Sequence, residues 1–543
     1  MMKFNFSNRK IFILLLITVC LSFSFKSKFF EVAKQIEIYN TLFKELNMYY
    51  VDEINPAELT NKAIKNTLKD LDPYTNFYNE QDVEDARIRR EGEYGGIGVS
   101  VNYINKGIQI REVYKGFAAD KSDLKAGDII ISVDNQSIEN MERDQLSMFL
   151  KGTPNSKFFV DVLRQGKVIR KEITREKVIV NPVPFAKMID NETGYIVLTR
   201  FNNKASSEVK KAFKKLKKEG MTKLVFDLRY NPGGSLLESI NISNFFLPKG
   251  KKVVSTKAKV KKWSNTYRTT NKPLDLEIPI VVLINGRSAS ASEIVSGSLQ
   301  DYDRAVIMGQ RSFGKGLVQR YRELTYGTQL KVTISKYYTP SGRCIQELDY
   351  ANRDKNGVVP KFSDLGINKF KTANGRTVYD GGGVLPDVIT KESKRTKATK
   401  NLLKSKAIFN YATKYFYQNN DVLKEGKFEF NDSNFRDFIK YLKVDTTFVT
   451  KQELMFKEAY KLAPSKNITK DFKEIQEQLF KNKVEEITKN KDILKNVLKE
   501  EILKRFVYKE GVYDYSLKND LVINEAVKLL NNQERYKQIL STK

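Results

Sequence analysis

The stretch IPIVVLINGRSASASEIVSGSLQD, residues 278–301, passes from strand to turn to helix without a linker. IPIVVLI is apolar on both faces, which fits a strand buried between two layers rather than one with a wet side. Asn285-Gly286 breaks it, and serines and alanines then open a helix that reaches Asp301. The same grammar repeats outward. Upstream, GYIVLTRF is a strand and residues 206–219 a helix; KLVFDLR is a strand closed by NPGG, and SLLESINISNFFL a helix. Downstream, AVIMG is one more strand. Alternating strands and helices predict an α/β core with a sheet covered by helices, and place functional groups on the loops leaving the strand ends.

Further out the rhythm changes twice. Between about residues 91 and 178, short strands alternate apolar and polar residues around turn signals at Asn105-Lys106-Gly107, Asp134-Asn135 and Gln165-Gly166, with a short helix at residues 144–150. That is a compact small domain. Residues 26–90 read as helical, with Val32, Ile36, Tyr39, Leu42, Phe43 and Leu46 at helical steps, Asn55-Pro56 opening a second helix, and a turn at LDPYTNFY. From about residue 391 to 543, Lys- and Glu-rich segments keep an apolar stripe through Ile475, Leu479, Val484, Ile487, Leu494 and Leu498, which predicts a packed helical domain. Residues 1–25 read as a leader: Lys3, Arg9 and Lys10 precede the apolar run of residues 11–25. The run is short for a permanent anchor, Ser22 and Ser24 offer a cleavage site, and Val19 argues against a lipoprotein site at Cys20. Export is expected, to the periplasm or the outer face of the inner membrane, with cleavage or membrane tethering through the N-terminus left open.

Composition narrows the chemistry. None of the 543 residues is a histidine. That removes the serine-histidine-aspartate triad, the cysteine-histidine pair and every imidazole zinc site, so proton transfer falls to Lys, Tyr, Asp or Glu. No metal and no cofactor is expected. Cys20 lies in the leader, which leaves Cys344 as a structural thiol with no partner for a disulfide. The net charge of +30 comes from lysines spread along the whole chain, without a nucleic-acid signature, so a basic surface and no nucleic acid is the reading.

Three elements carry chemistry. Asn285 to Glu293 puts serines at a helix start, where free N–H groups stabilise an oxyanion, although serines there also serve as plain caps. In SFGKGLVQ, residues 312–319, glycines flank Lys315. A lysine with a free-solution pKa of about 10.4 becomes a competent base only when desolvated. DLRYNPGGS, residues 227–235, ends a strand in a double glycine whose amides can face a negative oxygen. Taken singly, each also fits an ordinary cap, a surface lysine or a bare turn.

Together they resemble the carboxyl-terminal processing (tail-specific) proteases, through LDPYTNFY, YGGIGVSV, LKAGD, LKGTP, DLRYNPGG, NGRSASASE, SFGKG and YYTPSGR in the family's order. The resemblance implies a crotonase-like (ClpP-like) protease core over residues 179–390, an inserted PDZ domain over 91–178, an N-terminal helical segment and a C-terminal helical domain. It implies Ser290 as nucleophile, Lys315 as base twenty-five positions later, and Gln319 as a residue that helps position the lysine. Backbone N–H groups of Gly233 or Gly234 and of Ala291 are implied as the oxyanion hole. Gly95, Gly96, Ile97 and Gly98 look like the loop that receives a terminal carboxylate, with Ile97, Val99, Leu146 and Leu150 as the pocket for an apolar terminal side chain. Val101 lies on the same face but is read as core. The implied partners are protein or peptide substrates with apolar C-terminal tails; the oligomeric state is unknown. Tyr74 stands where the family often has histidine, and residues 351–380 form a longer insertion than compact members show. Two rival readings remain: a catalytically silent PDZ adaptor, and an envelope scaffold acting through its C-terminal helices.

Overall fold

The computed structural model describes residues 28–391, 394–419, 428–462 and 469–541, so the leader and Cys20 lie outside the described residues. The described residues fall into two compact units, one ending at Phe77 and the other beginning at Tyr78. In the first, helices span Lys28–Tyr49 and Pro56–Lys69. Asn55 caps the second by accepting from the Ala57 and Glu58 amides, with Pro56 in the first turn where its missing N–H costs nothing. In LDPYTNFY, Asp72 closes the turn by accepting from the Tyr74 and Thr75 amides.

The second unit is built on a six-stranded sheet in the order Phe185–Met188, Thr193–Val197, Lys223–Asp227, Ile280–Ile284, Val306–Gly309, Val388–Ile389. The first pair is antiparallel and the rest are parallel. Because side chains alternate across a strand, each strand feeds two cores. Ile196, Leu224, Phe226, Ile280, Val282 and Ile307 pack with the helices Ala205–Lys218, Leu236–Asn244 and Ala291–Asp301. Tyr195, Val225, Val281, Leu283 and Val306 face the other way, onto Ile523, Ala526, Leu529, Leu530 and Tyr536. The helices Leu521–Asn531 and Gln533–Leu540 therefore complete the peptidase sandwich, although they lie at the far end of the chain. The Tyr536 hydroxyl donates to the Ile280 carbonyl at 3.0 Å, a polar anchor inside that apolar layer.

Residues 99–174 form an antiparallel sheet, Val99–Ile104, Gly107–Val113, Ile129–Val133, Lys157–Arg164 and Lys167–Thr174, with a short helix Arg143–Phe149. The turns at Asp134-Asn135 and Gln165-Gly166 take positive φ throughout, as tight two-residue hairpins require. Glu93–Gly96 pairs with Glu176–Ile179 where the chain enters and leaves this domain. The remaining helices, from Lys397–Leu402 to Lys491–Asn519, bury a separate core around Tyr411, Phe438, Ile487, Leu494 and Leu498. Ile475, expected on that stripe, is 46% exposed.

Candidate active site

The nucleophile loop sits where the strand Ile280–Ile284 hands over to the helix Ala291–Asp301, beside the turn that ends the strand Lys223–Asp227. Three serines compete there, and hydrogen bonding separates them. Ser288 is buried and donates to the Leu228 carbonyl at 2.8 Å; Ser292 is buried and donates to the Asn231 carbonyl at 2.9 Å. Their hydroxyls pin one loop to the other. Ser290 instead lines a cavity of about 430 Å³, which it shares with Lys315, Gln319, Gly233, Gly234 and Ala291. Its backbone is held at φ 55°, ψ −112°, a conformation unfavourable for a residue with a Cβ and one that recurs at functional sites.

What holds that strain is Glu293, fully buried three residues on. One carboxylate oxygen accepts from the Ser290 amide (2.7 Å) and the Lys315 amide (3.0 Å); the other accepts from Ser312 Oγ (2.6 Å) and the Gly314 amide (2.7 Å). A single side chain thus ties the backbone of the serine to the loop of the lysine. Burial pushes its carboxyl above the usual range, and the four donors oppose that rise. The residue was legible as the last letter of SASASE: Ser-x-x-Glu at a helix start is a capping-box pattern.

The double glycine meets the serine at close quarters. A Cβ on Gly233 would stand 2.8 Å from the Ala291 nitrogen and 2.9 Å from Ser290 Cβ, and its φ is +93°, so only glycine fits. Its own N–H donates to Asn231 Oδ1 at 2.9 Å. Gly234 and Ala291 line the same cavity, Ala291 at the helix start where amides lack intrahelical partners. Gln319 lines the same cavity, and its amide nitrogen donates to Thr333 Oγ1 at 3.2 Å.

Asp227, just before this turn, is buried and accepts from the Tyr195 hydroxyl at 2.7 Å and from Arg229. Arg229 also reaches Asp520, the cap of the helix Leu521–Asn531, at 2.7 Å. The helical layer behind the sheet is thereby linked to the glycine turn in front of it. These acids were not singled out by sequence reasoning; the signal was the charged DLR at the end of an apolar strand.

In the small antiparallel domain, a second cavity of about 410 Å³ is lined by Ile97, Val99, Val101 and Leu150, together with Tyr94 and Tyr114. Leu146 does not reach it: at 1% exposure it belongs to the domain core, while Val101, read as core, lines the cavity. Gly98 has φ +78° and lies against Phe117, and Gly95 packs on the Gly152 backbone within the entry strand pair. The Tyr94 ring lies over Gly96, burial pushes its phenol upward, and the Val99 amide bonds to it. Among the described residues no cluster of acid, cysteine or histidine side chains has the makings of a metal site.

A profile described as Peptidase family S41 matches residues 192–363, one described as PDZ domain matches 85–161, and one described as Probable PDZ-protease, C-terminal helical domain matches 398–530. The chain is 32% identical over 376 residues to a Probable CtpA-like serine protease of Staphylococcus aureus (strain MRSA252), a match covering 67% of this chain and 75% of the relative. The chain belongs to peptidase family S41. A second relative, the Carboxy-terminal-processing protease of Bartonella bacilliformis, is 35% identical over 321 residues, covering 58% of this chain and 73% of the relative. A solved structure of a photosystem II D1 C-terminal processing protease is 28% identical and covers 59% of this chain and 91% of that one, with a TM-score of 0.35. This S41 peptidase is a serine peptidase with a PDZ domain and a C-terminal helical domain, as its motifs implied.

Proposed function

We propose that this S41 peptidase is an exported endopeptidase that reads apolar C-terminal tails in its PDZ groove and cuts proteins near their C-termini. The observation that carries the mechanism is the sorting of the three serines: Ser288 and Ser292 spend their hydroxyls on backbone carbonyls, and Ser290 opens onto the cavity that Lys315 also lines. Lys315, neutral, takes the proton of Ser290 as Oγ attacks the scissile carbonyl. The amides of Gly234 and Ala291 receive the oxyanion. Lys315 returns the proton to the leaving amine, and water repeats the sequence on the acyl-enzyme. Gln319 belongs to the wall beside the lysine. Export rests on the leader pattern of residues 1–25, and tail reading on the apolar wall Ile97, Val99, Val101 and Leu150.

The test is turnover of an unstructured protein with an apolar tail. Ser290→Ala and Lys315→Ala should each lower turnover by at least about a thousandfold, with thermal unfolding close to the parent. Ser288→Ala and Ser292→Ala should keep far more activity. Parent-level cleavage by Ser290→Ala would refute the assignment, and binding without cleavage in the parent would favour a silent PDZ adaptor.

A further inference from the structure

Arg89 and Arg200 line both the PDZ groove and the cavity of Ser290. Arg89 lies in the last turn of the helix Glu80–Glu91, and Arg200 follows the strand Thr193–Val197, so two separate elements bring them to one place. Neither has a carboxylate partner among the described residues, whereas Arg87 of the same helix pairs with Glu84 at 2.7 Å and with Glu91. The nearest acid of the groove wall, Asp85, is committed to Lys151 at 2.5 Å and Arg143 at 3.5 Å. Among the described residues no Asp or Glu lines the Ser290 cavity, whose lining adds Arg90 and Lys331. Desolvation and the like charge of Arg89 hold the Arg200 guanidinium below its usual value, the condition of a cation without an anion.

We propose that Arg89 and Arg200 form a carboxylate-recognition pair that grips the substrate chain as it runs from the PDZ groove to Ser290. Two guanidiniums facing one gap repel each other when it is empty. A carboxylate between them gains charge-assisted hydrogen bonds, and the substrate that brings it also displaces water, which strengthens the attraction. The carboxylate is that of an acidic side chain upstream of the tail or that of the chain terminus. The inference rests on the Ser290-Lys315 peptidase reading, and adds to it a preference for acidic over neutral or basic segments.

The test uses the full chain and one reporter peptide with an apolar tail. A single Glu is walked through the segment upstream of the tail, with Gln and Lys at the same positions, and the Gln series is made with free and amidated termini. At one or two adjacent positions, Glu should raise kcat/KM about five- to tenfold over Gln. Added salt should shrink that ratio. In the double variant Arg89→Gln, Arg200→Gln the ratio should fall to about one, and in Arg89→Glu, Arg200→Glu the Lys reporter should exceed the Glu reporter. A flat Glu scan, combined with loss of the free-versus-amidated difference in the double Gln variant, would support the pair and place the terminal carboxylate between the arginines. A flat scan with that difference intact in the double Gln variant would overturn the proposal. If no reporter is cut, the peptidase reading fails instead; the same Glu and Gln peptides, measured by fluorescence anisotropy against Ser290→Ala, still report whether the arginines favour the carboxylate.

Discussion

The peptidase site and the PDZ domain are held in opposite ways. Around Ser290 the fixings are buried: four donors converge on Glu293, and Ser288 and Ser292 nail the nucleophile loop to the glycine turn. The PDZ domain is fastened at its rim. Asp85 pairs with Lys151, Lys204 with Glu93, and Tyr508 of the C-terminal helices donates to Asp120 at 2.5 Å, all with part of each group in water. Buried polar networks lose heavily when one member is removed, whereas half-exposed ion pairs contribute little. The division places the buried fixings where the nucleophile and base meet, and leaves the PDZ domain on weaker, partly solvated attachments.

The sharpest way to break this contrast is Glu293→Gln. Glutamine offers one acceptor and one donor group where the parent has two acceptors. Its NH₂ can turn toward Ser312, whose hydroxyl can accept, but the Gly314 amide then faces a donor. One buried N–H without a partner costs about 1–3 kcal/mol. Misplacement of the Ser290 and Lys315 backbones should lower kcat by about a hundredfold. Parent-like kcat would show that the buried network is structural only. The pH dependence supplies a second check. Burial raises the folded carboxyl above the ordinary glutamate range, so between the unfolded value and the higher folded one the native state keeps a proton the unfolded state has lost. Stability contributed by Glu293 is therefore full below the unfolded value and falls as pH rises through the folded one. Denaturant unfolding of the parent should lose stability with rising pH more steeply than Glu293→Gln does.

That contrast also explains what could be read in advance. The strands, the tight hairpins and the Ser290 loop were legible because strand period, turn chemistry and helix-start chemistry are local. The choice among Ser288, Ser290 and Ser292 came from family resemblance, and only the carbonyls of Leu228 and Asn231, some sixty residues away, supply its physical reason. The second face of the sheet was illegible for the same cause. Val225, Val281 and Leu283 announce burial but not their partners, which are Ile523, Ala526 and Leu529 at the chain's other end. The helical domain expected over residues 391–543 therefore also covers the peptidase sheet with its last two helices, a contact the sequence does not announce. In the PDZ groove, period-2 alternation gives faces without distances, which is how Leu146 and Val101 came to exchange places. Glu293 was local and could have been found.

A smaller effect is expected at the PDZ rim. Asp85→Asn removes the carboxylate shared by Lys151 and Arg143, with Lys151 still donating to Ser147 Oγ at 3.2 Å. The groups are partly in water, so the loss should be about 1 kcal/mol in unfolding. Asp85 also lines the groove, so the informative readout is selectivity: the ratio of turnover on apolar and acidic tails should change more than turnover of the parent's best tail. A drop in activity as large as that of Glu293→Gln would erase the distinction between the two regions.

The smallest effect should come from Tyr508→Phe, and it tests the far attachment. Tyr508 interrupts the helix Lys491–Asn519 at φ 56°, ψ −171°, a backbone conformation costly for a bulky residue, and from that kink its hydroxyl reaches Asp120 of the PDZ domain. The bond to Asp120 pushes the phenol up to about 12, so the hydroxyl stays a donor throughout the physiological range. Phenylalanine keeps the ring and removes only the donor. With Asp120 able to turn to solvent, the loss should be about 0.5–1 kcal/mol, the low end for a hydrogen bond. Hydrogen exchange should quicken in the PDZ helix Ala118–Lys121 and around the kink, while amides of Ala291–Asp301 stay as protected as in the parent. Faster exchange in Ala291–Asp301 would mean that the rim contact is wired into the active-site helix, and the two regions would have to be treated as one.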